Sequence, residues 1–181
     1  RSLWRGKKGF WFIAWLFHIS LAFLIVGHFF GIVFLGQQFT IFGVSSDQSM
    51  ELSVFFGTYA GVALLLGLVF LTIRRITSAK VRFVTSLSDY LVLVLLIGIA
   101  LSGMYMRLVD EISYGVVRDY VVGLLTLRPI APPDHLGFMT HFTLVQLLLL
   151  YFPYSKLMHS CGIFLSRWLI TRPHERQVVI K

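Results

Sequence analysis

Cysteine is nearly absent. Cys161 is the only one in 181 residues, which excludes an internal disulfide and a cysteine-ligated iron–sulfur cluster, so any iron–sulfur chemistry must lie in partner subunits. Charge is scarce as well. Only 13% of residues are charged, about half the ~25% of soluble domains. Together with 57% hydrophobic residues and a mean hydropathy of +0.81, this excludes an ordinary water-soluble globule and leaves a membrane protein. The sequence opens without Met, and this opening segment is not expected to be a signal peptide: the apolar run behind Arg1-Ser-Leu-Trp-Arg-Gly-Lys-Lys8 is too long and has no small-residue cleavage site. A processed chain, or a further helix upstream, is the expectation. No internal repeat or low-complexity tract appears. The formal charge of +8 does not indicate nucleic acid, because the basic residues flank apolar segments, where topology and anionic lipid headgroups account for them.

What is there is apolar length. A spanning helix needs roughly 20 largely apolar residues, and four segments supply them: about Phe10–Leu35, Leu52–Ile73, Phe83–Met106 and Leu136–Leu169. The last exceeds what a bilayer requires, and Pro153 interrupts it, which predicts a kink, a tilt or an end projecting past the headgroups. The fold class is therefore an all-α polytopic membrane bundle, a single domain over residues 1–181. Seventeen Phe and four Trp suit a lipid-facing surface with aromatic ends.

Charge then orients the bundle. Arg1, Arg5, Lys7 and Lys8 precede the first span, and Arg74, Arg75, Lys80 and Arg82 join the second to the third. Lys156, Arg167, Arg172, Arg176 and Lys181 lie towards the C-terminus. The loop from Gly36 to Glu51 has no Lys or Arg, and that from Arg107 to Asp134 has three, offset by Asp110, Glu111, Asp119 and Asp134. The positive-inside rule puts both termini and the middle loop in the cytoplasm. Within the second outer loop, Val109 to Leu127 reads as a short amphipathic helix on the outer surface. Pro129, Pro132 and Pro133 then force an extended path, and Asp134 is the expected cap of the last helix.

Inside this hydrocarbon sit two pairs of histidines. His18 and His28 lie on the first span, His141 and His159 on the last. An imidazole in a membrane interior is a functional hypothesis by default, and four of them give two haem irons two axial ligands each. The first and last spans are antiparallel, so topology pairs His28 with His141 outside and His18 with His159 inside. The spacings strain that picture: at about 1.5 Å per residue the first pair is roughly 15 Å apart and the second roughly 27 Å. A bend at Pro153 and tilted helices must absorb the difference. Gly27, Ser20, Ala22, Ser160 and Gly162 leave room beside the ligands for a flat macrocycle, though small residues also mediate plain helix packing. Zinc fits less well, because the imidazoles sit at two depths with no nearby carboxylate or thiol to complete a tetrahedral set. Two other classes compete. A haem-free membrane anchor needs no such histidines. A histidine-dependent metal or proton transporter normally carries further ionisable groups in mid-span, and the span centres here are almost free of them.

Outside the span centres, His135 reads as a surface residue, a cap or a proton acceptor near a quinol, and His174 as a solvated tail residue. Asp89 reads as a helix N-terminal carboxylate facing the interface, or as a proton-accessible group near an inner haem.

On His18 and His28 ten apart, and His141 and His159 eighteen apart, the chain resembles the haem b (gamma) subunit of respiratory nitrate reductase and its relatives. Ala131-Pro-Pro and Tyr151-Phe-Pro-Tyr-Ser-Lys-Leu-Met-His159 look closer to the membrane cytochrome b of the sulfite-reduction-associated electron-transfer complex. The resemblance covers most of the chain. It implies two haem b groups, menaquinone exchange, and a cytoplasmic iron–sulfur partner related to heterodisulfide reductase, with further membrane or periplasmic subunits. It also implies the ligand pairing that topology gave, and at least one more span than the four here. A quinone site near the outer haem makes Tyr59, Tyr105, Arg107, Asp110 and His135 candidates. On the inner side Arg82, Lys156 and Arg167 are candidates for haem propionates or for docking an acidic partner surface.

Overall fold

The computed structural model describes residues 8–159 and Gly162. Six α-helices are present in this range: α1 (Lys8–Phe34), α2 (Ser46–Thr77), α3 (Ala79–Phe83), α4 (Leu87–Leu108), α5 (Tyr114–Leu125) and α6 (Leu136–Tyr151). Short 3₁₀ turns cover Gln38–Phe42, Phe152–Tyr154 and Lys156–Met158. No strand occurs among the described residues. Among the described residues, α1, α2 and α4, and α6 taken together with the turn that follows it (Leu136–Tyr154), are long and apolar enough to cross a membrane.

The limits of these helices follow from local chemistry. Leu35 (φ 53°) and Gly36 (φ 79°) stop α1 in the left-handed conformation, with Gly36 N–H donating to Gly31 C=O at 3.1 Å. Ser45 starts α2 through a reciprocal capping box with Gln48, and Asp47 suits the positive helix start. The second span is therefore longer than its apolar core predicts. The third is shorter at its start, because Phe83 belongs to α3 and α4 begins only after Ser86. Of the amphipathic segment expected over 109–127, residues 114–125 are helical.

The last span departs most from expectation. Rather than bending at Pro153, α6 ends at Tyr151, and Pro153 sits in the 3₁₀ turn that follows. Ser155 is extended (φ −103°, ψ 162°); its hydroxyl donates to Phe152 C=O at 2.8 Å and accepts from Leu157 N–H at 3.2 Å. A proline without an N–H, followed by a serine that satisfies the loose backbone groups, makes a break and not a kink. The rest of the expected span, 163–169, lies outside the described residues. The cap of α6 is also different from expectation: His135 Nδ1, not Asp134, accepts from Phe138 N–H at 3.1 Å.

The packing runs in a row. α1 lies on α2, α2 on α4, and α4 on α6. Phe17, Leu64, Leu68, Leu93, Leu96 and Ala100 form the shared core. Gly67 brings α1 close to α2, since a Cβ there would stand 3.0 Å from that of Phe17. The two histidine-bearing helices, α1 and α6, make no extensive contact with each other.

Candidate functional site

Across the space between α1 and the α6 segment, the four histidines meet in pairs. The His28 and His141 ring centres are 6.2 Å apart with planes inclined by 9°. Those of His18 and His159 are also 6.2 Å apart, with planes at 84°. A metal–imidazole bond is about 2.0–2.1 Å long, as at zinc, and a five-membered ring with sides of about 1.33 Å puts its nitrogen roughly 1.1 Å from its centre. One metal ion held between two imidazoles thus requires centres about 6.3 Å apart. Both pairs have that separation.

Each ring is also set for the task. His18 Nδ1–H donates to Ala14 C=O at 2.7 Å, and His28 Nδ1–H to Leu24 C=O at 2.6 Å. His159 Nδ1–H donates to Lys156 C=O at 2.7 Å. His141 reaches a different helix: its Nδ1–H lies 3.0 Å from both Ile99 C=O and Ser102 Oγ of α4. A carbonyl only accepts, so Nδ1 carries the hydrogen in all four and Nε2 keeps its lone pair. Among the described residues no hydrogen bond occupies any of these Nε2 atoms. Carbonyls that accept from Nδ1–H in this way fix the tautomer and ring orientation of metal-binding histidines.

The surroundings leave space. A Cβ at Gly27 or Gly31 would meet nothing within 4 Å, on the helix that carries His18 and His28. His18, His28 and His159 are exposed on this chain, and an imidazole left in hydrocarbon needs a partner. Among the described residues no group of three or more His, Cys, Asp or Glu side chains converges on one point, so the four histidines stand as two pairs and not as a cage.

The other candidates fall into separate clusters. At the α5 end of the bundle, the Arg107 guanidinium donates to Tyr114 Oη at 2.6 Å and to Ser53 C=O at 3.1 Å, lying over Gly57, where a Cβ would collide with it. It fastens α5 to α2. His135 Nε2–H donates to Asp110 C=O at 2.9 Å, with the Asp110 carboxylate 3.3 Å away, tying the α6 cap to the end of α4. The rings of Tyr59 and Tyr105 are exposed; that of Tyr59 packs on Phe55 with centres 4.5 Å apart. Tyr105, Asp110 and His135 are thus neighbours, the Tyr105 and His135 rings both flanking Gly137, whereas Arg107 is engaged by Tyr114 and Ser53 and Tyr59 by Phe55.

At the opposite end, Lys156 Nζ donates to the buried Asp89 carboxylate at 2.6 Å and to Val84 C=O at 3.2 Å. Asp89 also accepts from Ser86 N–H and Oγ–H at 2.9 and 3.1 Å, with Arg75 3.4 Å away. It is the helix-start carboxylate that the sequence indicated, with two cations added. Arg82 donates to Ile76 C=O at 2.9 Å. Arg167 lies outside the described residues. Arg74 stacks on Phe10 at 3.8 Å, which gathers the basic ends of α1, α2, α3 and the α6 turn at one end of the bundle.

Sequence reasoning missed α4. Ser102 holds His141, and a Cβ at Gly103 would sit 3.2 Å from His141 Cε1. The available signal was a small polar pair, Ser102-Gly103, in an otherwise aliphatic span.

Comparison with known proteins places this geometry in context. Residues 4–179 match the family model described as nitrate reductase gamma subunit. The chain is 31% identical over 175 residues to an Hdr-like menaquinol oxidoreductase cytochrome b-like subunit of Archaeoglobus fulgidus, covering 90% of this chain and 50% of that protein. The subunit of the same description from Archaeoglobus profundus is 31% identical over 168 residues, 86% of this chain and 48% of its own length. A nitrate reductase gamma chain of Bacillus subtilis is 30% identical over 152 residues, 80% of this chain and 68% of its own. The chain spans about half the length of the two archaeal relatives.

Proposed function

The chain belongs to the nitrate reductase gamma subunit family, and from that premise we propose that it is a dihaem membrane cytochrome b subunit. In this reading His28 and His141 would hold an outer haem b, and His18 and His159 an inner one. The observation that carries it is the repeated 6.2 Å spacing of two imidazole couples, each with Nδ1 committed to a neighbouring oxygen and Nε2 free to bind. Bound haem b supplies a one-electron carrier at each depth.

The chain's own work is to hold and tune. α1 fixes two ligands through its own carbonyls, α4 steadies His141, and the open flank beside Gly27 and Gly31 accommodates a flat ring. The basic end faces the cytoplasm, and both termini lie there. It meets an iron–sulfur subunit related to heterodisulfide reductase, and electrons pass between that partner and the menaquinone pool. The names of the archaeal relatives support this choice of partner and quinone. At the outer end the exposed phenols of Tyr59 and Tyr105 and the Asp110–His135 couple are the groups available to a quinone headgroup, since Arg107 is already engaged by Tyr114 and Ser53.

An optical spectrum of the purified, dithionite-reduced protein tests the reading. Two α-band components and about two haems per chain are expected. His28→Ala or His141→Ala should remove one component, and His18→Ala or His159→Ala the other. A featureless visible spectrum, or both components surviving all four substitutions, refutes the assignment.

A further inference from the structure

We propose that Asp89 is the positioning residue of the inner histidine pair: by holding the Lys156 ammonium against α4, it fixes the turn whose carbonyl orients His159. The proposal rests on the dihaem reading above.

Of the four histidines, His159 is the one whose Nδ1 acceptor lies in a 3₁₀ turn. His18 and His28 each borrow the carbonyl of the residue four earlier within the 27-residue α1. His141 stands on α6 and leans on α4. His159 instead follows a three-residue 3₁₀ turn that comes after the extended Ser155, and 3₁₀ hydrogen bonds have poorer geometry than those of an α-helix. Its ring is oriented by Lys156 C=O from that same turn. Where Lys156 goes, the ring goes.

The turn is tied to α4 through the Lys156 side chain. Its stem is largely in solvent, 66% exposed, whereas the Asp89 side chain is only 6% exposed. A flexible cation is thus held by an immobile acceptor, at 2.6 Å, with Val84 C=O as a second contact. The acceptor is immobile because the same Oδ2 is held by Ser86 N–H and Oγ–H at the start of α4 and by Arg75 at the end of α2. Capping α4 requires only the Ser86 contacts. The reach to Lys156, 67 residues away in sequence, does something else: it references the α6 turn to the helix that also steadies His141. The outer ligand is positioned by α4 directly, and the inner one through an ion pair.

The test uses the complete membrane protein with Asp89→Asn, Lys156→Gln and the double variant, examined by redox potentiometry and low-temperature electron paramagnetic resonance. His159→Ala identifies the inner signal by its loss. Each single variant should shift the midpoint potential and the g-values of that signal, leaving the outer signal as in the wild type. The double variant should be no worse than either single, because both interrupt one tie. Unchanged inner g-values and potential in both singles overturn the proposal. Equal movement of both signals also overturns it, since that reports general loosening. Lys156→Gln keeps the test decisive if Asp89→Asn does not accumulate, because it removes an exposed amine and leaves Asp89 its Ser86 and Arg75 partners. Absence of haem in the wild type, or survival of both signals in His159→Ala, instead sinks the dihaem reading.

Discussion

Gly103 is where one methyl group tests the outer pair most directly. In Gly103→Ala the new Cβ would stand 3.2 Å from His141 Cε1 and 3.5 Å from Nδ1, whereas carbon atoms prefer about 3.5–4.0 Å. The ring must retreat by at least about 0.3 Å. It is held at 3.0 Å by both Ile99 C=O and Ser102 Oγ, so that retreat takes these contacts beyond the usual limit of about 3.2 Å. A hydrogen bond of this kind is worth about 0.5–1.5 kcal/mol net, roughly a 2- to 13-fold change in binding. A displacement of that size also exceeds the ~0.2 Å tolerance of a metal–ligand distance. On the dihaem reading we expect the affinity of the His28–His141 haem to fall about tenfold, as when other groups that orient a metal ligand are lost, with the His18–His159 haem unaffected. The assay is haem per chain and component-resolved potentiometry under limiting haem. Gly98→Ala is the comparison on the same helix, because its Cβ would meet the flexible Leu144 methyls at 3.1 and 3.9 Å and no histidine atom. Wild-type outer occupancy and potential in Gly103→Ala would refute the packing argument.

Three further outcomes follow from the same structure. Gly27→Ala meets no protein atom within 4 Å, so on packing alone it should stabilise α1 by up to about 1 kcal/mol. If a macrocycle fills that flank, the substitution should instead lower haem content, and the absorbance ratio per chain decides between the two. Arg107→Met removes charged hydrogen bonds to Tyr114 and Ser53, worth about 1.5–3 kcal/mol each; amide exchange across Tyr114–Leu125 should accelerate while α1 stays protected, and unchanged exchange would show that α5 is held by other means. His135→Ala deletes the α6 cap and the link to Asp110, and should lower detergent-solubilised stability by about 1 kcal/mol, read as a drop in Tm; an unmoved Tm would mean that the cap is redundant.

Much of the architecture was legible because hydrocarbon is an unforgiving solvent. Length and apolarity located all four spans, and antiparallel topology brought His28 to His141 and His18 to His159. The helix ends were less legible, since they depend on side chains that read as loop. Ser45 and Gln48 extend α2 into a polar stretch, and Ser86 delays α4 past Phe83. Pro153 signalled trouble in the last span, but only the Ser155 hydroxyl, satisfying both sides of the gap, turns a kink into a break. Long-range polar partners were invisible for a different reason. Asp89 and Lys156, or Ser102 and His141, are separated by most of a span and a loop, and no local period relates them. The outer quinone candidates were grouped by depth alone, and depth does not tell which side of a helix a residue occupies. Arg107 therefore met α5, and Tyr59 turned outward.

The row of helices has a consequence for biogenesis. α1 and α6 are the two ends of the row and scarcely touch, yet the histidine couples span them. On the dihaem reading, iron acts as a clasp between the earliest of these four spans to be made and the latest. Neither clasp can fasten until the latest of the four has been inserted, so cofactor loading becomes a late step in their assembly. A truncated or stalled product would keep its four imidazoles unpaired, or lack half of them, and present an open flank to the membrane's proteases.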